Sequence, residues 1–413
     1  MQAVINTKTL LSDGIISVDQ AREIELRARE AMVQLVVNTV LFSGILAATS
    51  GIIFWLADAV AVAVLGAAMM LAGLLISRRN ANVFEMFGQA ATLIGAGLWV
   101  GGLGVELFTN HPDIAGISSL IIGVVMTVIA VFAFQRAAKY RFVLGAILIM
   151  TFALHLAGAG YLVEHHRVTG WWLASAYFYA TLAIAALGTY IDVRFITALA
   201  IVPFAQMLAV SSDYSYASYV FYSKESTLSI VQMLGLIGLL MWLGSKLSER
   251  LRRHSATLTI MAFIVANMCA LVGALWGDVV GEHIWGPLRP NYRDFHADGL
   301  SAAGTYAEAR AHFEAAHDAF LATALVISDH AYAIIWAIAL AAIAGMAAHK
   351  TMRGLFNTAI TFGAIHAYTQ AFESFHDEPL AYVIGGLAAI PLAWGMWRWN
   401  AQLALRTRDH STI

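Results

Sequence analysis

Twelve stretches of the chain are apolar over the roughly 20 residues that a helix needs to cross a bilayer. They lie near 33–56, 59–77, 83–105, 115–134, 142–163, 171–190, 195–211, 227–245, 256–278, 319–348, 355–375 and 380–398. The seventh is short, and the tenth is long enough to tilt or break. Lysine and arginine sort the connections between them. Arg78 and Arg79, then Arg136, Lys139 and Arg141, then Arg194, then Lys246, Arg250, Arg252 and Arg253, then Lys350 and Arg353 fall in alternate connections. Both ends of the chain are basic too, whereas the opposite connections hold only Arg167, Lys224, Arg289, Arg293 and Arg310. Basic residues stay on the cytoplasmic side of a membrane. The pattern therefore predicts an all-α polytopic helix bundle of about 12 transmembrane helices, with both termini in the cytoplasm of a bacterial cell and the spans in its inner membrane.

The polar stretches divide the chain further. Residues 1–30 form a cytoplasmic or interfacial amphipathic helix, in which Ser17 and Gln20 fit a capping box and Val18, Ala21, Ile24 and Ala28 share one side. Residues 31–280 hold spans one to nine, and 281–318 form an extracytoplasmic loop with a helical segment. Residues 319–413 hold spans ten to twelve and a short basic tail. The loop's second half, "SAAGTYAEARAHFEAAHDAF", is helical in pattern, with Arg310 and Glu314 at i, i+4. The turns "ELFTNHPD" and "ESFHDEP" resemble each other and leave room for an internal repeat.

Composition agrees with this class. Hydrophobic residues make up 60% of the 413 and charged ones 12%, and the mean hydropathy is +0.72. The expected partner is the lipid bilayer. A net charge of −2 and the lack of a dense basic cluster give no sign of nucleic acid binding. One cysteine, Cys269, excludes intrachain disulfides and CxxC sites. The polar start has no signal-peptide pattern. The glycine stretch "GAGLWVGGLG" lacks a preceding strand and a Lys-Ser/Thr end, so it is no phosphate loop. Gly97 and Gly101 have instead the small-xxx-small spacing of close helix packing.

Candidate chemistry collects in spans ten and eleven. "ALVISDHAYAIIW" (324–336) sets Asp329 and His330 inside an apolar run. A short inner turn joins the two spans into an antiparallel hairpin. With Ala348 facing Leu355, His330 falls level with Glu373 and Asp329 with Ser374. Helical rise then puts Asp329 about 15 Å from the outer end of span ten. His366, Gln370, Glu373 and His376 share one face of span eleven, and Asp329, Tyr332 and Trp336 share one of span ten. An ionisable residue at depth costs roughly 2.5–3.5 kcal/mol and marks ion or proton pathways. Asp329, His330, His366, Gln370 and Glu373 are thus the expected proton- or ion-coupling group of a secondary transporter or permease for a small solute or ion. Gln206, Gln232, Asn267 and His155 stand alone on apolar spans as structural groups, and Glu85 snorkels at the inner interface.

Two other functions remain open. No cofactor motif is present, but Glu373 and His376 have the Glu-x-x-His spacing of di-metal bundles, repeated by Glu314 and His317. With His330 they admit a divalent metal, as do the many outer-face histidines, and the chain would then be a metal-handling or accessory subunit. The acids of that face admit a protein partner. The third reading is an outer-face enzyme acting on a lipid-linked substrate through His317, Arg289 and Arg293.

Two resemblances bear on these readings. "GIISVDQAREI" and "FGQAATLIGAGLWVGGLGVELFTNHPDIAG" resemble the start and the third span of uncharacterised prokaryotic multi-span membrane proteins that open with an Ile-Ser-x-x-Gln helix. That likeness covers about the first third of the chain and implies no activity. The span count and the long loop before span ten resemble the O-antigen ligase and polymerase class, and "HDAFLATAL" is similar to the His-x-x-x-Leu segment opening their tenth span. This second resemblance implies a loop histidine, His317, acting on a lipid-linked glycan whose pyrophosphate meets Arg289 and Arg293.

Overall fold

The structure is a computed structural model, and it describes residues 7–12, 14–29, 58–77, 82–215, 218–244, 246–287, 306–349 and 352–375, with isolated positions in 40–51 and 383–398. It is all-helical apart from two small two-stranded sheets. Its backbone forms two compact units, Met1–Arg167 and Val168–Ile413. The expected spans 33–56 and 380–398 lie outside the described residues except at those isolated positions, which are helical.

In the first unit, a short helix α1 (Thr7–Ser12) precedes α2 (18–29). The capping box is present: the Ser17 backbone N–H donates to Gln20 Oε1 over 2.9 Å, and the Gln20 N–H donates to Ser17 Oγ over 3.2 Å. Four long helices follow: α3 (Ala59–Ser77), α4 (Asn82–Asn110), α5 (Pro112–Arg136) and α6 (Arg141–His165). α3 packs on α4 and α5 on α6. Small residues set both contacts. Gly66 and Gly73 of α3 meet Gly88 and Gly95 of α4 so closely that a Cβ on any of them would lie 2.3–2.5 Å from a backbone nitrogen. The close approach thus uses a seven-residue glycine spacing, rather than the four-residue spacing of Gly97 and Gly101. In the other pair Gly123 admits the backbone of His155, whose Nδ1 lies 3.4 Å from the Leu120 carbonyl.

The second unit runs through α7 (Gly170–Ile191), α8 (Arg194–Leu199), α9 (Ile201–Gln206), the hairpin β1–β2 (Val210–Ser215 and Ser218–Ser223), α10 (Ser226–Gly244) and α11 (Glu249–Trp276). Strand β3 (Asp278–Val279), α12 (Tyr306–Leu321), β4 (Val326–Ile327), α13 (Asp329–His349) and α14 (Arg353–Phe375) complete it. β1 pairs antiparallel with β2, Val210 opposite Ser223, and β3 with β4, Asp278 opposite Ile327. α10 packs on α11, and α11 on α13 and α14, around Phe263, Tyr332, Trp336, Leu340 and Phe362.

Two expected spans differ here. The seventh, 195–211, is not one helix. Pro203 has no N–H for the Leu199 carbonyl, so the helix breaks at Ala200 and the chain turns into β1 by residue 210. The Gln232 amide on α10 donates to the Phe204 carbonyl over 2.8 Å, satisfying backbone near the break. The tenth, 319–348, is two elements. α12 ends at Leu321, β4 closes against β3, and a new helix starts at Asp329 with the Ala331 N–H bonded to Ser328 Oγ over 3.2 Å. The boundary of the outer loop drawn at residue 318 therefore falls inside α12, which carries the expected Arg310–Glu314 ion pair at 2.8 Å.

Eight of the described helices are long and apolar enough to cross a membrane. Their packing has the matching sense. α5 buries Ala115, Gly116, Ser119 and Gly123 while turning Ile114, Ile117, Ile121 and Val125 outward. Small residues inside and large apolar ones outside is the arrangement lipid favours and water does not. The apolar helices indicate a membrane-embedded protein.

Candidate functional site

Asp329 and His330 do not lie in the middle of a helix. Because α13 starts at Asp329, the pair occupies its first turn, with the His330 side chain 89% exposed and that of Asp329 46% exposed. His330 Nδ1 bonds the neighbouring Asp329 carboxylate over 2.9 Å. An acid in the first turn suits the helix dipole, and this offsets the cost that a mid-span position would carry. Glu373 lies in α14, but its side chain is outside the described residues, as are His376, Arg289, Arg293 and the side chain of Glu85. The metal set of Glu373, His376 and His330 therefore lies largely outside them. Among the described residues, no three His, Cys, Asp or Glu side chains are arranged to hold a metal ion. Gln370 is half-buried, and His366 is buried.

The α13–α14 hairpin keeps the expected register. Ala348 packs with Leu355, and Trp336 meets His366 with ring centroids 4.5 Å apart. Asn267 on α11 completes the group. Its Oδ1 accepts the Trp336 indole N–H over 2.9 Å, and its Nδ2 donates to the Phe263 carbonyl over 2.7 Å. Asn267 is thus not isolated: it ties α11 to α13, and Trp336 carries the contact on to α14. Trp336 lies seven residues into α13 and Asn267 nine from the end of α11, so both sit about 10–14 Å from those helix ends.

One turn nearer the start of α13, Tyr332 packs in the same cluster as Trp336 and belongs to a second polar group. Asp278, just past α11, accepts the Thr227 backbone N–H over 2.9 Å and the Thr227 hydroxyl over 2.5 Å. The single Thr227 hydroxyl proton goes to an acid that only accepts, so the Tyr332 hydroxyl donates to Thr227 Oγ1. Gly273 makes room, since a Cβ there would lie 2.5 Å from the Tyr332 ring. A relay Tyr332→Thr227→Asp278 therefore lies where α11 ends and α10 and α13 begin. Glu225, 1% exposed beside it, accepts the N–H groups of Gly281 and His283 over 2.7 and 2.6 Å. His317 lies close by: its Nε2 is 3.9 Å from Glu282 Oε1, and its ring stacks on Phe313.

Sequence reasoning had named Tyr332, Trp336 and His366 but not their links. Asp278 was one outer acid among many, and Thr227 and Glu225 carried no signal. Both act through a backbone N–H or on one, which leaves no mark in side-chain spacing.

At the opposite end of the unit, Asp192 takes a left-handed conformation (φ 61°) after α7. His254 Nε2 bonds its carboxylate over 2.9 Å, and the other ring nitrogen meets Thr197 Oγ1 over 2.7 Å. Arg250 binds the carbonyls of Thr189 and Tyr190. The buried Thr197 hydroxyl makes this a structural clasp, not a nucleophile. The His254 hydrogen bond holds the Asp192 carboxyl below its ordinary range, with Arg250 adding to it and desolvation opposing. A lowered carboxyl stabilises the fold above the unfolded-chain value, about 3.9, and loses that effect as pH falls through the folded value. Acidification to about pH 3 should thus lower the hydrogen-exchange protection at 193–197, measured against the intrinsic exchange rate at each pH, in the native chain. Asp192→Asn should show no such acid-dependent change, and an equal change in both would contradict the assignment.

Comparison with known proteins finds no matching family model, no matching curated protein and no matching solved structure.

Proposed function

We propose that the chain is a twelve-span protein of the bacterial inner membrane, with both termini cytoplasmic, acting as a secondary transporter or permease for a small solute or ion. The alternation of basic connections supports the orientation. The broken segment 194–206, continued by the β1–β2 hairpin, would make the short seventh crossing. Transporters commonly place their sites beside such discontinuous helices, near the bilayer midplane.

One observation carries the reading. Polar side chains run inward from Asp278 through Thr227 and Tyr332 to the Asn267–Trp336–His366 group, within helices that are otherwise apolar. Lipid gives such groups no water, so a line of them needs a purpose beyond holding helices together, a role worth only about 0.6 kcal/mol per bond on average. The coupling group thereby moves from Asp329 and His330 to His366 and its partners.

The test is solute entry into proteoliposomes, followed by light scattering across a panel of small ions and neutral solutes. At least one should enter faster than into protein-free vesicles, and Asn267→Leu should slow it about tenfold or more, the loss of roughly 1.4 kcal/mol or more at a barrier. No protein-dependent entry, or entry indifferent to the Asn267 change, would remove the basis for transport.

A second reading keeps one observation of its own. His317 Nδ1 is buried with no hydrogen-bond partner among the described residues. In an outer-face enzyme acting on a lipid-linked substrate, that nitrogen would be its acid or base.

A further inference from the structure

We infer that His366 is a proton-binding site, whose charged form is held against the tilted ring of Trp336. The inference rests on the transport reading for its purpose, but its observations are separate.

His366 is 8% exposed, and among the described residues its Nδ1 has no hydrogen-bond partner. A histidine kept only for packing would leave a buried nitrogen unsatisfied at a cost of about 1–3 kcal/mol, when leucine or phenylalanine would fill the space without it. The unpaired nitrogen has a use if it takes a proton. Its lone pair accepts a proton from hydronium, water is left behind, and the ring becomes an imidazolium with both nitrogens protonated. Histidine is the side chain whose ordinary titration falls near neutral pH.

An imidazolium in an apolar bundle needs a counterpart, and Trp336 supplies one without a second charge. Its ring centroid is 4.5 Å from that of His366, inside the roughly 6 Å over which an indole face attracts a cation. The indole cannot turn away, because its N–H is held by Asn267, and Asn267 is itself oriented by the Phe263 carbonyl. Three helices therefore fix an aromatic ring against one ionisable ring.

Tyr332 shares the Trp336 cluster on α13, with Asp278 beyond it, Cys269 on α11 packs in a separate cluster, and Glu373 lies about two turns along α14 from His366. On its own helix Tyr368 is exposed, and Arg353 lies more than three turns away. The Tyr332–Thr227–Asp278 relay begins one turn from Trp336 on the same helix.

The experiment is tryptophan emission of the full-length protein in nanodiscs, titrated from pH 8 to pH 5, because an imidazolium against an indole quenches it. The native chain should show a fall in emission no larger than one share of its eleven tryptophans. His366→Gln should abolish that fall. Trp336→Phe should abolish it too while leaving the histidine in place, which keeps the result readable if the His366 variant folds poorly. A transition that persists in both variants, or its absence from the native chain, overturns the proton site. The titration requires no solute, so a clear transition beside a failed solute-entry assay would uphold the proton site and reject the permease alone.

Discussion

Gly95→Val should force α3 and α4 apart and destabilise the first unit by about 3 kcal/mol or more, at the upper end of overpacking costs. The reason is what a side chain would meet. A Cβ at Gly95 would lie 2.3 Å from the Met70 nitrogen, 2.6 Å from the Gly66 carbonyl oxygen and 2.8 Å from the Met70 Cα. All three are backbone atoms of a helix, so no rotamer change relieves the clash. Gly66, Gly73, Gly88 and Gly102 face the same kind of contact, so one substitution disturbs a seam held at five glycines. In lipid this packing is a main source of helix association, because apolar surface gains nothing by leaving the bilayer. Gly160→Ala on α6 is the control. Nothing lies within 4 Å of a Cβ there, and replacing glycine within a helix should be neutral or stabilise by up to about 1 kcal/mol. Thermal unfolding in detergent measures both. Equal midpoints for the two variants would show that the glycine seam does not hold the helices.

The glycine seam also shows how far the sequence could be followed. Its glycines were visible, but the spacing that matters repeats every seven residues and needs a partner helix to give it meaning. Local patterns survived intact. The Ser17–Gln20 box, the Arg310–Glu314 pair and the α13–α14 register each depend on residues a few positions apart, or on one short turn. What failed crossed longer distances or hid in continuous hydrophobicity. The apolar run through 319–348 conceals a boundary that Ser328 and the β3–β4 pairing create at Asp329. That single shift moves Asp329 and His330 from the interior to an exposed helix start. Pro203 was the readable sign that 195–211 could not be one helix. The hairpin after it carries no glycine turn to announce it. Asn267 looked solitary because its partner, Trp336, lies 69 positions away.

The end of the second unit that carries β3 and β4 depends on Glu225, a residue with no sequence signal. Glu225→Ala should lower stability by about 2–5 kcal/mol, because it leaves two buried or half-buried N–H donors without an acceptor. Those donors, on Gly281 and His283, now converge on one carboxylate that is 1% exposed. Gly281 holds the turn at φ 84°, with the Trp285 ring so close that any Cβ there would overlap it. The turn therefore cannot swing outward to find water without giving up this packing. Glu225→Gln should cost less, about 1–3 kcal/mol, since the amide oxygen still accepts one bond while its NH2 group faces the other donor. The difference matters beyond stability. Asp278 lies three residues before Gly281, in β3, and β3 is held in place by its pairing with β4. A loosened turn should release Asp278 from the Thr227 N–H and hydroxyl, and with it the acceptor end of the relay that begins at Tyr332. Hydrogen exchange should then rise at 278–286 and at the first turn of α10 together, ahead of global unfolding. If exchange rises only at 281–283 and the Thr227 amide stays protected, the Glu225 contact merely tidies a loop. If both rise together, one buried carboxylate holds the Asp278 end of the polar line in register with the helices that carry it.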